Sequence, residues 1–137
     1  MSVVADYDRD AGTLTLVVQE VGTTTHHMGA LEVGDEILDL VGPLGMALEI
    51  PAADHIVGIG GGFGAAALLC LMRELSARGD RTTIILGARE KGLLILLDEL
   101  AAVCDNLELC TADGSAGLKG FVTYRFAPLL DGAGPAC

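Results

Sequence analysis

The sequence predicts an α/β protein: a partial antiparallel β-barrel of about three strands over residues 1–52, then a partial Rossmann-like parallel α/β domain over residues 53–137 that lacks its last strand. β-type runs punctuated by turn residues fill the first fifty residues. From His55 onward, strand and helix patterns alternate, which implies a parallel sheet with right-handed crossovers. The two regimes meet at His55-Ile56-Val57-Gly58-Ile59-Gly60-Gly61-Gly62-Phe63-Gly64-Ala65-Ala66-Ala67-Leu68, where an apolar run feeds a glycine cluster and then an Ala/Leu helical pattern.

Val3–Tyr7, Leu14–Val18 and Glu36–Val41 read as the three barrel strands, with Asp10-Ala11-Gly12 as a hairpin turn between the first two. Gly22-Thr23-Thr24-Thr25-His26-His27-Met28-Gly29 is a hydroxyl-rich loop that winds into one helical turn, and Gly42-Pro43-Leu44-Gly45 closes the third strand rigidly. Three strands leave barrel edges that need more chain or a partner to cover them, and edge pairing between copies is one way to do so. The boundary between lobes falls at Ile50-Pro51-Ala52-Ala53-Asp54.

In the second half, strand Ile56–Ile59 leads to a helix over 65–77. Leu68, Leu69, Met72 and Leu75 form its apolar face, and Gly79 its C-cap. Strand Thr82–Leu86, a helix over Leu96–Val103, strand Leu107–Cys110 and a helix over Phe121–Leu130 limited by Pro128 follow. Only three parallel strands are expected, and Asp131-Gly132-Ala133-Gly134-Pro135-Ala136 reads as a loop leading onward, so the chain is expected to be an internal fragment.

Composition narrows the function classes. The net charge is −11, with 8 Lys+Arg against 19 Asp+Glu, and this opposes the basic footprint that nucleic acid or an anionic membrane surface requires. Residues 56–72 carry no charge, but the glycines from Gly58 to Gly64 argue for a buried strand, turn and helix rather than a membrane span. With no signal-peptide pattern and no Cys-x-x-Cys pair among Cys70, Cys104, Cys110 and Cys137, a cytoplasmic protein with free thiols is expected.

Gly60-Gly61-Gly62-Phe63-Gly64-Ala65 fits the G-x-G-x-x-G/A template in its Ala form. The glycines let the backbone approach a pyrophosphate, which the helix N-terminus then holds. At the end of the second parallel strand, Gly87-Ala88-Arg89 offers a cation in place of the acid that would hold a ribose 2′-hydroxyl. Arg89 is suited to a 2′-phosphate or the adenine face, or else is a solvated side chain beside Glu90 and Lys91. Thr111-Ala112-Asp113-Gly114-Ser115 follows the third strand at the same carboxyl edge, so the Thr111 and Ser115 hydroxyls are expected to reach a bound dinucleotide; an Asp-Gly turn is the alternative. Adjacent His26 and His27 point to opposite sides of an extended segment and make no metal site, and no nucleophile elbow is present.

The order of these motifs resembles the ferredoxin–NADP reductase superfamily. The nearest likeness is to its electron-transfer flavoprotein subunits: those of dihydroorotate dehydrogenase, of sulfide dehydrogenase or NADH-dependent ferredoxin:NADP oxidoreductase (small subunit), and of cytoplasmic hydrogenases. The likeness rests on Gly34-Asp35 with Gly42-Pro43-Leu44-Gly45, the glycine loop, Gly87-Ala88-Arg89 with 93–100, and Asp113-Gly114-Ser115 with Lys119-Gly120-Phe121-Val122-Thr123. It implies that residues 1–52 are the C-terminal part of an FAD-binding barrel and residues 53–137 an NAD(P)-binding domain. Gly22, Thr23, Thr24 and Thr25 would then hold the flavin diphosphate. Gly60, Gly61, Gly62, Phe63 and Gly64 would lie along the nicotinamide dinucleotide, and Arg89, Thr111, Asp113 and Ser115 along its adenosine side. The family's Arg-x-Tyr/Phe-Ser/Thr flavin motif and its Cys-Gly-Pro segment have no counterpart here, and Ala67 stands where a proline is usual.

The expected function is that of a fragment of an NAD(P)H-dependent flavin oxidoreductase subunit, inactive by itself. It would move electrons between NAD(P)H, FAD and a larger iron–sulfur or dehydrogenase partner, with the iron–sulfur cluster on that partner or beyond Cys137. No side chain stands out as an acid, base or nucleophile, so positioning and electrostatics are the protein's part. The alternatives are a non-catalytic nucleotide sensor that uses the same glycine loop and an interaction domain whose exposed barrel edges dock a partner subunit.

Overall fold

The structure, a computed structural model, describes residues 1–42, 44–46 and 48–130. The chain opens with β1 (Ser2–Asp8) and β2 (Thr13–Val18), an antiparallel hairpin. Its turn closes because Asp8 Oδ1 accepts the amides of Asp10 and Ala11, each at 2.9 Å, and Gly12 takes a φ of +65° that other residues adopt with strain. The register shifts between Val4 and Asp6, and the bulge this makes leaves Ala5 fully buried. The hydroxyl-rich loop forms a two-turn helix, α1 (Thr23–Gly29).

The third barrel strand expected over Glu36–Val41 does not form. Its apolar residues have no neighbouring strand to bond, and Leu38 stands 95% exposed; without ladder partners, β-type composition alone gives no strand. The observed antiparallel sheet is therefore two-stranded, and the rigid turn expected at 42–45 falls on Pro43, outside the described residues, as does the loop at 131–136.

The second half forms the expected α/β alternation: β3 (Ile56–Gly61), α2 (Gly64–Arg78), β4 (Thr82–Ala88), a single 3-10 turn at Lys91–Leu93, α3 (Leu97–Val103), β5 (Asn106–Thr111), β6 (Leu118–Lys119) and α4 (Val122–Leu130). All four strands are parallel in the order β3-β4-β5-β6. The short β6 adds a fourth strand to the three expected; two residues are too few to leave a periodic signal in sequence.

α2 ends where Gly79 turns left-handed at φ +95°, with Gly79 N–H bonded to Ser76 O and Asp80 N–H to Leu75 O. Its buried face, Ala65, Ala66, Leu69, Met72 and Leu75, packs on Ile84 and Leu86 of β4, Leu100 of α3 and Ala5 of the hairpin. Glycines in β3 bring α2 close: a Cβ on Gly60 would stand 2.6 Å from Leu68 Cδ1. Arg73 of α2 holds Asp6 of β1 by a forked ion pair, and the Tyr7 hydroxyl donates to Glu74. The opposite sheet face, Ile85, Glu108 and Cys110, is covered by α4. β4 is thus buried on both faces from Thr82 to Leu86, as the central strand of a covered parallel sheet must be.

Candidate functional site

At the carboxyl edge of the sheet, β3 runs on through Gly60 and Gly61, two residues past the expected end, and the chain then turns at Gly62 with φ +51°. Gly62 N–H bonds Gly87 O at 3.1 Å, which ties the turn to β4. Apart from the adjoining backbone, no atom lies within 4 Å of the position a Cβ would take on Gly62 or on Gly64. α2 begins after Phe63 with no side-chain cap; the Ala65 and Ala66 amides bond Gly62 O and Phe63 O, each at 3.2 Å, and the Gly64 amide, first in the helix, has no intrahelical acceptor at this positively polarised end. A pyrophosphate fits this geometry: space above two glycines, with the Gly64 amide and the positive end of the helix dipole beside it.

Beside the turn lies a groove of about 250 Å³, lined by Gly61, Gly87, Ala88, Arg89, Ala112, Gly120, Phe121 and Val122. Its wall is nearly all apolar, with Arg89 as its one charged member. Phe121 is 66% exposed and packs its ring, tilted at 59°, against Tyr124. Gly120 permits the approach by taking φ +136°. A flat ring with an anionic substituent suits such a groove better than a sugar does, because the apolar wall offers hydroxyls few partners.

The loops beyond β4 and β5 are cross-linked into a fixed rim. Ala112 N–H bonds Ala88 O, Asp113 N–H bonds Arg89 O, and Lys91 N–H bonds Ser115 Oγ at 2.8 Å. Ser115 donates its hydroxyl and its amide to Asp113 Oδ1. These bonds, the hydroxyl's first, hold the Asp113 carboxyl below the usual carboxylate range.

Of the residues expected along a dinucleotide, Gly61 and Arg89 line the groove, Gly62, Phe63 and Gly64 form the adjoining turn, and Asp113 and Ser115 form the rim. Thr111 does not reach it. It is fully buried, and its hydroxyl donates to Ala116 O at 2.7 Å and accepts Ala116 N–H at 2.9 Å, so it closes the loop from within. Gly22, the N-cap of α1, and Thr23, Thr24 and Thr25 in its first turn are not among the residues lining the groove; α1 contacts β2. There the Thr25 hydroxyl accepts the amides of Val21 and Gly22. The amides of Thr23 and Thr24, first in the helix, have no intrahelical acceptor and suit an anionic group.

Gly87, Ala88, Ala112, Gly120, Phe121 and Val122 stand in the quoted motifs but were not expected as ligand contacts; they are brought together from three strand ends and one helix start. Burial raises the thiol pKa values of Cys70, Cys104 and Cys110, which leaves them protonated and poor ligands near neutral pH. Among the described residues, no cluster of three or more His, Cys, Asp or Glu is placed to hold a metal, and no helix is long and apolar enough to cross a membrane.

No family model matches the chain. It is 45% identical over 120 residues to a dihydroorotate dehydrogenase B (NAD(+)) electron transfer subunit homolog of Thermotoga maritima, covering 88% of this chain and 42% of the relative. It is 42% identical to a probable dihydroorotate dehydrogenase B (NAD(+)) electron transfer subunit of Methanocaldococcus jannaschii, over 82% of this chain and 43% of the relative. In structure, it superposes with a TM-score of 0.83 and 41% identity on a chain of the NADH-dependent reduced ferredoxin–NADP oxidoreductase, a protein solved for insight into flavin-based electron bifurcation; 94% of this chain and 46% of that one are covered. The chain thus spans less than half the length of the relatives it matches.

Proposed function

We infer, from a chain related in sequence and fold to the electron-transfer subunit branch of the ferredoxin–NADP reductase superfamily, that it carries the nicotinamide-dinucleotide site of such a subunit. The observation that carries this is the glycine turn at Gly60–Gly64 opening onto an apolar groove at the carboxyl ends of β3, β4 and β5, where ligands of open α/β sheets bind. The pyrophosphate would lie over Gly62 and Gly64 at the start of α2, and the adenine against Phe121 with Arg89 at its rim. Asp113 and Ser115 would keep that rim in shape and present the Ser115 side chain to the adenosine.

Residues 1–52 would contribute to an FAD site, completed as a barrel by chain outside these residues, with the Thr23 and Thr24 amides toward the diphosphate and Thr25 holding their turn. When bound, the two cofactors supply hydride transfer and its division into single electrons. The residues here bind, orient and screen. Arg73–Asp6 and Tyr7–Glu74 fix the hairpin on α2, and so fix one cofactor region relative to the other. The electrons would pass to a larger iron–sulfur or dehydrogenase partner in the cytoplasm.

The test is the full-length protein that contains these residues, purified and examined by absorption spectroscopy and by calorimetric titration with NADH and with NADPH. Bound flavin bands and micromolar binding of at least one nucleotide are expected. A colourless protein overturns the flavin assignment, and binding of neither nucleotide overturns the dinucleotide site.

A further inference from the structure

Beneath the groove, on the sheet face covered by α4, one acidic side chain sits among apolar neighbours. Glu108, in the middle of β5, is 8% exposed, pairs in register with Ile85, and lies two residues from buried Cys110 on the same face. One of its carboxylate oxygens accepts Asn106 Nδ2 at 3.2 Å, and the other lies 2.7 Å from Arg125 Nε on α4. That Nε makes no hydrogen bond, so the contact is a charge pair met off-line. A carboxylate in such surroundings is tolerated only while its counter-charge stays in place.

Arg125 falls three residues after Val122, on the same helix face. Val122 is seated on Gly87 so closely that a Cβ on Gly87 would collide with Val122 Cγ1. Val122 and its neighbour Phe121 form one wall of the groove, and Gly61, Gly87 and Arg89 belong to the other. The ion pair and the groove wall are therefore one helical turn apart on one rigid element.

We propose that Glu108 and Arg125 are positioning residues: their ion pair fixes the seat of α4 on the sheet, and through it the gap between the Phe121 wall and the glycine wall that receives the nucleotide. This rests on the groove being the nucleotide site. A pair that merely added stability would lower the melting temperature on removal and leave the affinity of the folded protein unchanged. A positioning pair changes affinity, and either partner's loss has nearly the full effect because the two act as a unit.

The experiment compares the full chain with Glu108→Gln, Arg125→Met and the double variant by calorimetric titration with NADH and thermal melting in parallel. We expect each single variant to bind NADH about tenfold more weakly, and the double variant to be no weaker than the singles. Arg125→Lys, which keeps the charge, restores most of the affinity. Unchanged affinity with a lowered melting temperature, or losses that multiply in the double variant, would overturn the proposal while leaving the site assignment standing. A wild-type chain that binds no NADH overturns the site assignment and this proposal together.

Discussion

Gly62→Val asks whether the glycine turn holds a ligand or is only a turn. In the structure, the position of a Cβ at Gly62 is open, so the expected cost to the fold comes chiefly from φ +51°. A left-handed non-glycine residue costs about 1–2 kcal/mol, with β-branched valine at the upper end. That corresponds to a fall in melting temperature of roughly 4–10 °C for a domain of this size. Gly12→Val is the matched control, because Gly12 has φ +65° and the same empty surroundings but lies in the hairpin turn far along the chain from the groove. Both variants should lose about the same stability. Only Gly62→Val should lose NADH, by about a hundredfold or more, since its methyls fill the space over which the pyrophosphate would lie. Titration calorimetry at a temperature where both variants are folded reads the difference. Equal NADH affinity for Gly62→Val and wild type would remove this loop from the site.

Other expectations follow from the groove and from the ionised loops. Phe121→Ala should weaken NADH binding about 5- to 50-fold through lost stacking, with little change in melting temperature because the ring is mostly exposed; an unchanged Kd excludes it as the base-stacking wall. Gly87→Ala should destabilise the fold by about 1–3 kcal/mol in denaturant melts, because the new methyl forces Val122 and the start of α4 off the sheet. The Asp105 carboxyl is held below its usual range first by the Thr82 amide, and Asp113 first by the Ser115 hydroxyl. Lowered carboxyl pKa values give stability that is present above about pH 4 and lost as pH falls through the folded-state values. Denaturant melts from pH 7 to pH 3 should therefore show an acid limb that is shallower in Asp105→Asn; an identical limb would contradict the assignment.

The α/β half was legible because its signals are local. An apolar run, glycines, good helix formers and a left-handed Gly79 each act over a few residues, and the parallel sheet follows from their alternation. The segment 36–41 misled because alternation and β-branched or aliphatic content describe what a strand buries, whereas a strand exists only when a neighbour accepts its hydrogen bonds. Thr111 misled in the opposite sense: a hydroxyl at the carboxyl end of a strand reads as a ligand contact, but burial turned it inward onto Ala116. The groove wall of Gly87, Ala112, Gly120 and Phe121 had no single sequence signature, since it exists only once three strand ends and α4 converge. Glu108 lies within the expected strand Leu107–Cys110 with no motif around it, and its pairing with Arg125, 17 positions on, is a product of the fold.

On the proposed function, the glycine turn and groove deliver a nicotinamide dinucleotide to a flavin held by the same protein. Anaerobic addition of NADH or NADPH to the purified full-length protein that contains these residues, followed by absorbance in the flavin bands, is the decisive measurement. Bleaching by at least one of the two, abolished in Gly62→Val while the flavin stays bound, is the predicted result. A flavin that keeps its oxidised spectrum with both nucleotides, or that Gly62→Val bleaches as readily as wild type, would contradict it.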